Sequence, residues 1–165
     1  MARRPFIMWP DARLSDVAAP VAAIDAEVLA IWDDMVDIMD AMPGYGLAAP
    51  QLGVMRRLAV VDCSEARGAA IRLANPEIVA ASDATFTWDE ASPNLPGYSA
   101  KIARPAKVTV SFTDHEGNHV TKDFENLWAT SVQHQIDHLA GRMYFDRLSK
   151  VKRDMLLRKA QKAAR

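Results

Sequence analysis

The chain has 165 residues, half of them apolar and a quarter charged, with a formal net charge of −1. That size and balance predict one globular domain and exclude a disordered, collagen-like or low-complexity chain. Its one cysteine, Cys63, excludes a disulfide framework and any cysteine-rich metal cage.

In chain order, the first clear element is a helix. Ile24, Val28, Ile31, Trp32, Met35, Ile38, Met39 and Met42 recur at three- and four-residue steps and form one apolar stripe. Pro43 and Gly44 stop it, and a loop from Gly44 to Gln51 follows. Leu58 to Asp62 and Ile71 to Asn75 read as short strands, and Cys63 as a small core residue at the end of the first. Asn75-Pro76 predicts a turn, after which Ile78 to Ala81 and Thr85 to Trp88 are extended. From Asp89 to Pro105 the chain is rich in Pro, Gly and polar residues and reads as a loop. Val108, Val110 and Phe112 alternate along a half-buried strand, Asp114 to Gly117 is a hairpin turn, and Val120 to Phe124 returns. A second helix runs from about Leu127 to Ala140, and a third covers about 149–165. Strands in the middle with helices at both ends predict an α+β domain spanning 1–165.

Charge is concentrated at the end. From Arg147 onward there are eight Lys/Arg and one acid, while the first 146 residues carry 12 basic and 20 acidic side chains. A basic helix on an acidic body points to an anionic partner, or only to a solvated helix end. No run approaches the ~18 apolar residues that span a bilayer. No apolar stretch follows the basic N-terminus, so a cytoplasmic protein without a membrane partner is expected.

The second helix carries the chemistry. His134 and His138 are spaced i, i+4 and so share one helix face. At ~100° per residue, His138 and Ser131 lie within about 60° of His134, while Trp128, Leu139, Val132 and Ile136 cluster about 120–200° away. One side packs and the other presents two imidazoles, as in a zinc- or iron-binding His-x-x-x-His pair. Metallohydrolases usually place a glutamate after the first histidine. Gln135 stands there, and an amide takes no proton at neutral pH.

The neighbouring motifs resemble the peptide deformylase family. Gly44, Gly46, Leu47, Ala48, Ala49, Pro50 and Gln51 match its first motif, Gly-x-Gly-Leu-Ala-Ala-Pro-Gln. Gln133, His134, Ile136, Asp137, His138, Leu139 and Gly141 match its third, Gln-His-Glu-Ile-Asp-His-Leu-x-Gly, with Gln135 the one departure. Its second motif, Glu-Gly-Cys-Leu-Ser-x-Pro-Gly, aligns with Glu90 to Gly97, where Glu90, Pro96 and Gly97 match. Arg104-Pro105 follows at the family's distance.

The resemblance implies a deformylase fold, with strands around a central helix bearing the two histidines. It implies a metal held by two histidines and a cysteine, whose bound water removes the formyl group from formyl-methionine on new bacterial chains. A glutamate moves the proton. The first-motif glutamine and the N–H after the cysteine stabilise the oxyanion. In this chain His134 and His138 keep two ligand positions, and Ser92 stands in the cysteine's place. Pro93 follows Ser92 and has no N–H. Gln51 and Gln135 occupy the catalytic glutamine and glutamate positions. Gly44, Tyr45, Gly46, Leu47, Glu90, Pro93, Leu95 and Trp128 are the substrate-pocket residues that the resemblance implies, and Glu90 and Arg104 read as a structural ion pair.

A serine hydroxyl is a poor substitute for a thiolate ligand. The expectation is therefore a chain without a tightly held ion; any iron, zinc or nickel it takes sits on His134 and His138. Two functions stay open. One is a family member that has lost deformylation and binds formylated or other N-terminal peptides, or docks on the ribosome through Lys150, Lys152, Arg153, Arg158, Lys159, Lys162 and Arg165. The other is a residual metal-dependent deformylase or hydrolase.

Overall fold

The computed structural model describes residues 4–164; Arg165, the last of the basic tail, lies outside them. Helix α1 (Ala26–Ala41) starts where the Asp25 carboxylate accepts from the Val28 N–H at 2.9 Å. Strands β1 (Gly46–Ala48), β2 (Leu58–Val61) and β3 (Ile71–Ala81) follow. Next come β4 (Thr85–Ala91), β5 (Ser99–Pro105), β6 (Lys107–Thr113) and β7 (His119–Glu125). Helices α2 (Asn126–Leu139) and α3 (Lys150–Ala163) complete the chain. Five strands pair antiparallel in the order β1-β2-β3-β6-β7, and β4 and β5 form a separate hairpin.

Both faces of the larger sheet are covered at its β1–β2 end. On one face, Leu58 and Val60 pack with Val28, Ile31, Trp32, Met35 and Met39 of α1. On the other, Val61, Leu73, Val108, Val110 and Phe112 pack with Ala129 and Val132 of α2. All four β2 residues are therefore buried, which is why that strand reads as a continuous apolar run. A third cluster joins the β4–β5 hairpin to the C-terminal region through Leu95, Ile102, Tyr144 and Phe145, with Leu156 and Leu157 of α3 against it. Among the described residues no helix is long and apolar enough to cross a membrane.

Three sequence expectations change. Asn75-Pro76 is not a turn: β3 runs through it, with Asn75 at φ 50° and a register shift against β6. The Asn75 side chain accepts from the Val21 N–H and donates to the Val21 carbonyl, both at 2.8 Å, so long-range bonds hold the kink open. The stretch after Asp89 is not all loop, because Ser99–Pro105 pairs with β4 along its whole length. Cys63 lies just past β2 and is only partly buried; burial still pushes its thiol up to about 12. α2 ends at Ala140, and Gly141 at φ 78° lets the chain pass the Ser15 carbonyl, which a Cβ there would approach to 2.5 Å.

Candidate functional site

The cleft lies where α2, the Met42–Gly46 segment and the β4–β5 hairpin meet, and has a volume of about 390 Å³. α2 gives it Leu127, Thr130, Ser131, His134 and Gln135. Tyr45, Trp88, Pro93, Pro96 and Tyr98 form the rim and walls, and Gln51, Glu90 and Ser92 lie within. Close approach of β1 to α2 depends on Gly46: a Cβ there would sit 2.5 Å from Ser131 Oγ and 2.6 Å from Gln135 Nε2. The Ser131 hydroxyl donates to the Tyr45 carbonyl at 2.8 Å and ties helix to loop.

Most of the expected residues converge. Gln51, Glu90, Ser92, His134 and Gln135 line one cavity, with Gly44, Tyr45, Gly46 and Pro93 around it. Four expected residues do not line it. His138 lies behind His134, 1% exposed. Leu47 is wholly buried against α1. Leu95 packs in the third core cluster, carried there by the turn in which its N–H donates to the Ser92 carbonyl at 3.0 Å. Trp128 lies on the opposite side of α2 in a groove with Ile71 and Phe124. Helical periodicity places it about 120° from His134, on the packing side. The same periodicity puts Leu127, Thr130 and Ser131 near His134, so that signal was available in the sequence for these three lining residues. Trp88 and Asn94 carry no comparable signal; both depend on how the hairpin folds back.

Behind the cleft runs a chain of buried charge. Arg104 holds Glu90 through two bonds, at 2.7 and 2.9 Å, and reaches Asp137 at 2.9 Å. Arg147 closes the far end on Asp137 at 2.6 and 3.0 Å. Burial alone would raise the Glu90 carboxyl, but bonds from His134 and Arg104 outweigh it and hold it below its usual range. Asp137 is likewise lowered against its burial by Arg147 and Arg104. The ionised Glu90 accepts from His134 Nδ1 at 2.8 Å. His134 Nε2 is then the acceptor toward His138 Nε2, 3.2 Å away. Burial above all, with the neighbouring His134 ring and the Arg104 guanidinium, lowers the His138 pKa well below the ordinary value and keeps it neutral. His138 Nδ1 is left buried with no partner.

The residues test poorly as a complete metal centre. Two Nε2 atoms 3.2 Å apart match the ~3.3 Å expected for imidazoles on one tetrahedral ion, taking metal–nitrogen bonds of about 2.05 Å. The third position does not fit. Ser92 Oγ donates to Asn94 Oδ1 at 3.0 Å and accepts from the Asn94 N–H and Gln51 Nε2, both at 3.3 Å. A hydroxyl has one hydrogen and two lone pairs, so none remains for a metal. Among the described residues no three His, Cys, Asp or Glu side chains converge on one point.

The family model for polypeptide deformylase matches residues 3–154. The chain belongs to the peptide deformylase family. It is 41% identical to a peptide deformylase of Methylocella silvestris over 170 residues, covering all of this chain and 87% of the relative. It is 40% identical to that of Rhizobium meliloti over 167 residues, covering all of this chain and 96% of the relative. Among solved structures, a peptide deformylase from Legionella pneumophila superposes with a TM-score of 0.90 at 37% identity, covering 99% of this chain and 96% of the other. The Ehrlichia chaffeensis peptide deformylase in complex with actinonin gives 0.91 at 33% identity, covering 100% and 99%. Peptide deformylases are metal-dependent, and His134 and His138 fit two corners of such a site; Ser92 does not supply the third.

Proposed function

We propose that this deformylase-family chain binds N-terminal peptides in the cleft beside His134 and has largely lost deformylation. The observation that carries the reading is the saturated hydroxyl of Ser92, with its hydrogen and both lone pairs engaged by Asn94 and Gln51. Two further features support it. Pro93 has no N–H for an oxyanion, and loss of one such donor typically costs ~10²–10³ in rate. Gln135 replaces a proton carrier, whose loss typically costs ~10²–10⁴. The apolar cleft bordered by the edge strand β1 remains able to hold a short peptide.

The test has two parts. Elemental analysis of protein purified without added metal should find well under one divalent ion per chain. Formyl-methionyl peptide turnover with nickel or iron supplied should stay far below the ordinary enzyme range of ~10⁴–10⁸ M⁻¹s⁻¹. A kcat/KM inside that range overturns the loss of activity and makes the chain a working deformylase.

The same proposal extends to the C-terminal helix. Lys152, Arg158, Lys159 and Lys162 of α3 are exposed and form no ion pair among the described residues. Lys150 and Arg153 instead pair with Asp154 and Asp146. An exposed basic stripe beside Val151 and Met155 suits the phosphates of ribosomal RNA. Cosedimentation with ribosomes should weaken with salt and fall when these four residues are changed to glutamate; unchanged cosedimentation overturns it.

A further inference from the structure

Three aromatic rings meet at the mouth of the cleft. Tyr45 comes from the segment before β1 and Trp88 from β4, so the pair joins two walls. Their ring centroids are 6.2 Å apart and their planes cross at 75°. Trp88 is also stacked on Phe86, two residues back, at 6.1 Å and 13°. Side chains alternate along a strand, so Phe86 and Trp88 share the face of β4 that carries Glu90, and Asp89 belongs to the other face.

These rings are held in place and still open to a ligand. The Tyr45 carbonyl accepts from the Ser131 hydroxyl at 2.8 Å and from the Asp62 N–H at 2.9 Å, which pins its backbone. Trp88 stands opposite the buried Ile102 in the hairpin register. Yet Tyr45 is 46% and Trp88 37% exposed. Apolar surface kept exposed beside a cleft marks a binding surface, and rings already in position lose little freedom when a ligand arrives.

Two rings crossing near a right angle leave a corner. A third ring placed there lies flat on one and meets the other edge-on, both arrangements that aromatic quadrupoles favour. An aliphatic side chain in the same corner gains only buried area. His134, Leu127 and Thr130 line the cleft from α2, and Tyr45 and Trp88 stand at its rim. An extended peptide advances about 3.3 Å per residue. With its first residue beside His134, the next two therefore pass the rim.

We propose that the Tyr45–Trp88 corner, extended by Phe86, is a specificity subsite for an aromatic side chain at the second or third position of the bound peptide. This rests on the peptide-binding reading above and adds to it which peptides are chosen.

The experiment is isothermal titration of the intact protein with the C-terminal amides of Met-Ala-Ser, Met-Phe-Ser and Met-Ala-Phe, each with a free and with a formylated N-terminus. A parallel set carries cyclohexylalanine in place of phenylalanine, which keeps the bulk and removes the ring electrons. At one of the two positions the phenylalanine peptide should bind about threefold more tightly than its cyclohexylalanine counterpart, and more tightly again than Met-Ala-Ser. Trp88→Leu and Tyr45→Leu each replace an exposed ring by an apolar side chain, and in either variant the two bulky peptides should bind alike. Equal binding of phenylalanine and cyclohexylalanine peptides in the unaltered protein, or a preference that survives in both variants, overturns this inference and leaves the peptide-binding reading standing. Failure of every peptide to bind overturns the peptide-binding reading itself.

Discussion

Ser92 and Asn94 bond to each other twice: the Ser92 hydroxyl donates to Asn94 Oδ1 at 3.0 Å, and the Asn94 N–H donates back to Ser92 Oγ at 3.3 Å. Asn94 is wholly buried and also donates from Nδ2 to the carbonyls of Ile7 and Gln51, at 2.5 and 3.0 Å. One asparagine thus fastens the N-terminal segment, the Gln51 turn and the hairpin loop, and occupies the space around the position where a third metal ligand would be needed.

It follows that Ser92→Cys alone restores metal binding poorly. The new sulfur would lie among the same donors and beside an Asn94 oxygen that has lost its hydroxyl partner. Ser92→Cys with Asn94→Ser should bind nickel or zinc at least about tenfold more tightly than Ser92→Cys, because thiolates suit these ions and the neighbouring amide no longer competes. Titration against a competing chelator measures this. Equal affinities would show that Asn94 does not matter to the site.

Catalysis should need more. Adding Pro93→Leu and Gln135→Glu to that double variant returns an oxyanion donor and a proton carrier. Only the fourfold variant should give clear turnover of a formyl-methionyl peptide, since these parts act as a unit. Each subset should remain at or near background in a coupled formate assay.

Arg104 is 3% exposed and is the shared partner of two buried carboxylates, Glu90 and Asp137. Arg104→Ala leaves Glu90 without a full counter-charge and should destabilise the fold by about 3–5 kcal/mol. Urea denaturation at neutral pH checks it. Arg147→Ala should cost less, because Arg147 is partly exposed and Asp137 keeps Arg104.

Gly46→Ala would place a methyl 2.5 Å from Ser131 Oγ and 2.6 Å from Gln135 Nε2. The strand must then move from the helix, or both side chains must turn away, which breaks the Ser131–Tyr45 bond. A stability loss of about 1–3 kcal/mol is expected, together with weaker peptide binding. Thermal melts and the same titrations measure both. Wild-type peptide affinity in Gly46→Ala would show that the β1–α2 contact does not shape the cleft.

The sequence by itself determined the family and the outline of the fold. The apolar stripe of α1, the alternation of β6 and the His134–His138 spacing are local periodicities that survive folding, because the buried face of each element must repeat with its own pitch. It also marked Ser92, Pro93 and Gln135 as departures from the family's motifs, since they stand inside motifs of set spacing. What it placed wrongly were features settled by distant partners. β3 runs through Asn75-Pro76 because Val21 bonds to that side chain, and Ser99–Pro105 becomes a strand only by pairing with β4. Leu47, Leu95 and Trp128 turn away from the cleft because they pack into the apolar clusters of the core. The tertiary structure alone decided the role of Asn94. A residue two places from Ser92 carries no signal of its own, and only folding brings Gln51 and Ile7 to the same amide. Hydrogen bonds across 43 and 87 residues of chain have no periodicity to read.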